Sequence, residues 1–212
     1  GSTVRFYGAG TPSASSGPPF LLRLRPNPSR IRLMSQELGI VGYDSFHFIV
    51  GDLERSRRFY TEALGFTELA RASRNKVEKG GEEASVFGAG QIRVLVSTPV
   101  RPDSRAARWL RIHPDGISSL AFRVRDVDAA WRFLEHRGAT FLSEIQTHEE
   151  GDGYFRTFSI ATPLDDVTFR FIERRGTYGP FAPDFESVGD GIPKENPHGF
   201  ATIDHVTSNA YT

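Results

Sequence analysis

The chain has 212 residues, 38% of them apolar, 12% aromatic and 25% charged, with no cysteine and a formal net charge of zero. That size allows one or two packed domains, and the missing thiols exclude disulfides, thiolate zinc sites and cysteine nucleophiles. They also fit a reducing compartment, so the cytoplasm is the expected location, and no stretch of apolar residues is long enough to span a membrane.

Residues 1–33 carry five Arg (Arg5, Arg23, Arg25, Arg30, Arg32), no acid and no hydrophobic period. We read them as a disordered extension ahead of Met34, the only methionine; an organelle-targeting peptide would share this composition. Beyond it, 21 basic residues face 26 acidic ones, a charge of −5 over residues 34–212. A body of that sign offers no broad basic surface to nucleic acid. Small molecules or further subunits are the expected partners.

The regular pattern begins with Phe46, Phe48 and Val50, whose alternation predicts a half-buried strand. Asp52 follows at a helix N-cap position, where a carboxylate accepts backbone N–H groups and suits the helix dipole. Leu53, Ser56, Tyr60, Ala63 and Leu64 give that helix a mixed inner stripe, and Gly65 stands where a helix-terminating glycine would. Strands are expected near 66–72, 83–88 and 91–98, and Ser104–Arg111 reads as a connecting helix ended by the turn His113–Gly116. The same order then returns: a strand with Leu120, Phe122 and Val124, a cap at Asp126, a helix striped by Val127, Ala130, Trp131 and Leu134, and Gly138. Strands near 140–146, 154–161 and 166–173 complete it. At an offset of 74, residues 45–60 and 119–134 share six identities in sixteen, which marks an internal repeat. Each copy is strand–helix–three strands, over about 37–99 and about 117–174. Residues 174–200, with four Pro and five Gly, read as linker-like, the linker proper being placed at 183–200. A new strand is expected over 201–212.

Paired βαβββ modules of this kind resemble the vicinal oxygen chelate superfamily, whose usual opening is similar to Val50–Phe66. The resemblance implies an α+β fold in which the modules form a curved mixed sheet with helices outside. Gly90–Pro99, Asp115–Gly116 leading into Ala121–Val124, Val167–Gly176 and Gly179–Phe185 are more specific. They resemble the N-terminal domain of 4-hydroxyphenylpyruvate dioxygenases, here residues 34–182. Ile203–Asn209 resembles the string that opens that family's catalytic C-terminal domain. The resemblance covers roughly residues 37–212. It implies Fe(II) held by two His and one Glu, an α-keto acid substrate, O2, homogentisate as product and a homo-oligomer. Only His205 maps onto a ligand, so the chain as it stands is expected to be inactive. A 4-hydroxymandelate synthase and a stand-alone, metal-free binding module of the superfamily are the alternatives.

The superfamily places its first ligand seven residues before the capping Asp, which falls on Ser45 and Ser119, and its acidic ligand on the closing strand falls on Arg170. None of these suits iron or zinc, so the resemblance implies a metal-free domain here. His47 lies two residues beyond Ser45 and therefore on the same strand face; lacking a second ligand, it reads as a hydrogen-bonded, half-buried histidine. His113, His136, His148 and His198 are expected to be exposed. The pairs Glu82–Glu83 and Glu149–Glu150 with Asp152 read as solvated faces rather than acid–base machinery. Gly88–Gly90 reads as a hairpin turn, since neither the Lys nor the helix of a phosphate loop follows.

Overall fold

The computed structural model describes residues 38–176, 178–179, 181–194 and 196–208. The expected extension at 1–33 and residues 209–212 lie outside them. Nine strands form one curled mixed sheet: β1 Ile40–Ile49, β2 Thr67–Ala72, β3 Glu82–Ala89, β4 Ile92–Pro99, β5 Gly116–Val124, β6 Gln146–Glu150, β7 Gly153–Ala161, β8 Thr168–Arg175 and β9 Phe185–Ser187. Their order across the sheet is β6-β7-β8-β5-β1-β4-β3-β2-β9. The two modules meet through antiparallel β1 and β5, and each of these central strands has its own module's closing strand as parallel neighbour, β4 beside β1 and β8 beside β5. The sequence repeat is thus a near-twofold repeat of the sheet.

Helix α1 (Leu53–Arg58) and helix α4 (Val127–Glu135) begin as expected. Asp52 accepts the Arg55 N–H at 2.9 Å and Asp126 accepts the Ala129 N–H at 2.8 Å. The helices differ in how they end. From capping Asp to terminal glycine is one residue longer in module one (52 to 65) than in module two (126 to 138). The extra residue is absorbed as a π-helical turn over Phe59–Ala63, closed by the Leu64 N–H on the Phe59 carbonyl. Both helices lie on one face of the sheet. Module one packs Leu53, Tyr60 and Leu64 on Phe87, Val94 and Val96; module two packs Val127, Ala130 and Trp131 on Phe158 and Phe171.

Helix α3 (Arg105–Leu110) starts at its expected cap, Ser104. Helix α2 (Arg74–Gly80) is an addition to the sequence expectation. Val77 is its only aliphatic residue, so it has no stripe to read; it forms because Ser73 caps it and Gly81 closes it at φ +68°. The strand expected near 140–146 is corrected. Phe141 makes one bridge to Ile160, and pairing resumes only at Gln146. Between them the Ser143 hydroxyl accepts the Ser159 N–H that a strand neighbour would have taken.

The presumed linker is corrected too. Phe181, Ala182 and Phe185 fold back across the inner face of the sheet, and Phe185–Ser187 pairs with β2 as β9. Burying Phe185, 8% exposed, offsets the cost of ordering this Pro-rich stretch by about 2 kcal/mol. Residues 201–208, expected to begin a strand, form none. Their neighbours supply one backbone partner, the Gln91 N–H to the Ala201 carbonyl at 2.7 Å, and a strand needs a continuous ladder. That contact depends on Gly90, where a Cβ would stand 2.6 Å from the Phe200 and Ala201 carbonyl oxygens.

Candidate functional site

The inner face of the sheet forms a cup where the modules meet. Alternation along β1 and β5 turns Ser45, His47, Ser119 and Ala121 into it; β4 brings Leu95 beside His47 and β8 brings Arg170 beside Ala121. The positions onto which the superfamily resemblance projects metal ligands, Ser45, Ser119 and Arg170, therefore do converge, and His47 joins them. Phe181 and Ala182 close the mouth, leaving a volume of about 20 Å³, space for one water-sized occupant.

Charge in the cup is cationic. Arg174 spends its fork on Asp44, with bonds of 3.0 and 3.1 Å, and donates as well to the Phe181 carbonyl, which fastens the closing strap. Arg170 feels the same Asp44 but makes no contact with it. Its Nε donates to Thr157 at 2.9 Å and its guanidinium lies 5.9 Å from the Phe155 ring centroid, but among the described residues it forms no ion pair.

His47 registers this field. Its Nε2 lies 2.8 Å from the Ser97 hydroxyl and its Nδ1 lies 3.2 Å from Nη2 of Arg105. A guanidinium can only donate, so Nδ1 is the acceptor and the proton sits on Nε2. Burial, and after it the charges of Arg105, Arg170 and Lys76, hold this imidazole well below its ordinary range. It is neutral at pH 7, with both nitrogens engaged: the half-buried, hydrogen-bonded histidine that the sequence implies.

This donor set does not fit a metal ion. Two hydroxyls, a committed imidazole and a guanidinium offer no anionic ligand, and among the described residues no three His, Asp or Glu side chains cluster closely enough to hold one. His205 lies outside the cup. Its side chain is 73% exposed and its Nδ1 lies 2.8 Å from Asp204. The tail reaching it runs over module one, where Phe200 meets Phe66 at 5.6 Å and Ile203 adds to the same apolar cluster. An open hollow of about 590 Å³ lies beside it, lined in part by Tyr43, Arg93, Arg123, Ile203 and Asp204.

Of the other histidines, His136, His148 and His198 are exposed as expected. His113 is not free: it bonds Asp166 at 2.7 Å and packs 4.6 Å from the Trp109 ring. Glu82 departs from the solvated-pair reading, since it accepts the Ala106 N–H at the start of α3 at 2.7 Å. Gly88–Gly90 does end the β3–β4 hairpin. The sequence reading includes neither the Asp44–Arg174 pair, 130 residues apart, nor the strap. For the pair no local signal exists; for the strap, Phe181 and Phe185 among the prolines were the available one.

The family model described as Glyoxalase/Bleomycin resistance protein/Dioxygenase superfamily matches residues 42–171. A 4-hydroxyphenylpyruvate dioxygenase of Coccidioides posadasii is 28% identical over 186 residues, covering 79% of this chain and 46% of the relative. One of Dictyostelium discoideum is 27% identical, covering 79% and 47%. The chain thus spans about half the length of the curated relatives it matches. Among solved structures, methylmalonyl-CoA epimerase from Mycobacterium tuberculosis superposes with a TM-score of 0.53 at 24% identity, over 64% of this chain and 89% of that one. That likeness shows the fold alone.

Proposed function

The chain belongs to the glyoxalase/bleomycin resistance protein/dioxygenase superfamily, and from that premise we propose that it is the N-terminal part of an iron-dependent 4-hydroxyphenylpyruvate dioxygenase. The observation that carries this is the match over 186 residues to about half of a protein of that name. The placing of Ile203-Asp204-His205-Val206 after the closing strap adds to it. In this reading His205 is the first of three iron ligands, and the other His and the Glu belong to sequence beyond Thr212. Fe(II) would supply chelation of an α-keto acid and activation of O2, giving homogentisate. One exposed imidazole does not make that site, so the described residues perform no step of the reaction by themselves. Their part is to build the scaffold: a cup whose ligand positions are hydroxyls and a guanidinium has given up metal chemistry, leaving it to the other half. A homo-oligomer in the cytoplasm completes the proposal.

The test is to express the chain with the coding sequence that follows Thr212, load it with Fe(II) and ascorbate, and supply 4-hydroxyphenylpyruvate. Homogentisate is expected, together with loss of bound iron in His205→Ala. Hydroxymandelate as product, or no product from a folded, iron-loaded protein, overturns the reading. A stop codon directly after Thr212 would favour the metal-free binding module instead.

A further inference from the structure

Four cations of the cup share three acids, and Arg170 has only a share of Asp44, which Arg174 holds. Arg174 is matched by Asp44. Lys76 enters over the Phe185 ring, donates to the Pro183 carbonyl at 3.2 Å, and feels the opposing charges of Asp184 and Glu82. Arg105 shares Glu82 with it from the rim. That leaves Arg170, which has one Nε–H committed to Thr157 and its terminal NH2 groups without a partner among the described residues. Across the cup, Ser119 is 7% exposed and its hydroxyl bonds nothing there, while Ser45, 5% exposed, makes a single long contact of 3.3 Å to Asp44. The result is a narrow space of about 20 Å³ bounded by the terminal NH2 groups of Arg170 and the hydroxyls of Ser119 and Ser45, the last turned to Asp44 by its long bond.

A part-buried guanidinium with only a shared, non-contacting counter-charge costs free energy that an anion would recover, and charge-assisted donors to an anion are the strong kind. The volume excludes a carboxylate-bearing metabolite while the strap Phe181–Ala182 is in place, but it suits a single atom. We propose that the cup of this domain binds a monovalent, halide-sized anion between Arg170 and the hydroxyls of Ser45 and Ser119. The anion locks the two modules and the strap together, standing where the superfamily's cation would be. The lowered basicity of His47 fits the same field, since this imidazole reports surplus positive charge around it. The site lies in the described half of the chain and does not depend on the iron assignment or on His205.

The experiment uses the whole chain and bromide. Crystals grown or soaked in sodium bromide are expected to show an anomalous peak in the cup within hydrogen-bond distance of Arg170. In solution, the thermal midpoint should rise and saturate with bromide or chloride, but not with gluconate at equal ionic strength, an anion too large to enter. Acetate separates a halide site from a carboxylate site: a response equal to bromide means the strap opens and the size argument is wrong. Arg170→Met should weaken the halide response roughly tenfold or more. If that variant does not fold, the wild-type anomalous map still decides. An empty cup in bromide, or equal midpoints in bromide and gluconate, overturns the proposal.

Discussion

The two modules lay their helices on the sheet at matching positions with opposite chemistry. Arg57 of α1 and Trp131 of α4 are equivalent by the 74-residue offset. Following the register outward from β1 and β5 matches Ser85 with Phe158, and then Glu68 with Phe141. In module two these positions form an aromatic group: Trp131 stacks on Phe141 at 3.7 Å and meets Phe158 edge-on at 5.1 Å. In module one they form a polar one: Arg57 donates to Glu68 at 3.2 Å and to Ser85 at 3.3 Å, with Ser85 1% exposed. The same backbone contact is satisfied either by burying rings or by completing a hydrogen-bond network. The first gains stability from area and ring geometry; the second chiefly avoids the penalty of leaving a buried polar group unmatched.

The comparison breaks most visibly at Phe158. With no exposed surface, its replacement by Ala should cost about 4 kcal/mol, transfer and cavity effects together. In a chain of this size that lowers the melting midpoint by roughly 10 °C. Denaturant titration checks it, and a loss under about 1 kcal/mol would mean module two does not lean on its rings. On the polar side, Glu68→Ala takes from Arg71 its carboxylate and from Arg57 one of two, Glu54 being the other. Because those arginines are 24% and 53% exposed, water relieves them in part, and the expected cost is smaller, about 2 kcal/mol. Pairing Glu68→Leu with Arg57→Met should cost less than Glu68→Ala alone, since the less exposed arginine goes with its acid and the charges that lose a partner, Arg71 and Glu54, are 53% and 60% exposed to water. If the double variant is the worse of the two, the network stabilises in its own right.

Acid should separate the modules as well. Burial alone would raise the Glu68 carboxyl, but bonds from Arg71 and Ser85 and the charges of Arg57 and Arg71 outweigh it and hold the group below its ordinary range. The folded state then binds this proton less readily than the unfolded one. The resulting stability is complete above the unfolded value near 4.3 and is lost as pH falls through the folded value. Glu68→Gln should therefore flatten the fall in melting midpoint between about pH 5 and about pH 3. Superimposable acid limbs for the two proteins would reject this.

How much of this could be read beforehand follows from the same contrast. The repeat, both capping aspartates and the terminal glycines come from period and spacing, which the backbone enforces locally; that Ser45, Ser119 and Arg170 share one site was implied by the superfamily resemblance, and His47 joined them by strand alternation with Ser45. The Trp131 stripe was legible as a core face. Arg57 was not, because a charged residue on a helix reads as solvated until Glu68 and Ser85 are known to lie beneath it. Helix α2 hides for the related reason that its sequence has no apolar stripe, and β9 hides because Pro and Gly around it read as a spacer. What escapes the sequence are contacts made by polar groups across long separations and by apolar residues inside turn-rich stretches.

The smallest expected difference concerns the caps that look most alike. Asp52 and Asp126, themselves extended, each accept one N–H from the first turn of their helix, and an N-cap Asp replaced by Ala costs about 1 kcal/mol. Module two, however, has a second acceptor. Glu173, 3% exposed, takes the Val127 N–H at 2.8 Å while its other oxygen meets Tyr154 at 2.6 Å and Arg175 at 3.0 Å. Its counterpart by register in module one is Thr98, and among the described residues no side chain accepts the Leu53 N–H. Each helix keeps one first-turn acid, Glu54 or Asp128, but removing Asp126 leaves α4 with one satisfied donor and the further charge of Glu173 at its positive end, whereas removing Asp52 leaves α1 with neither of these. Asp52→Ala should cost about 1 kcal/mol and Asp126→Ala about half that. Asp126→Ala in a Glu173→Gln background should lose the advantage of the retained charge, and its increment should approach that of Asp52→Ala. Equal costs for the two single substitutions would show that Glu173 serves the Tyr154–Arg175 side of its network and does nothing for the helix.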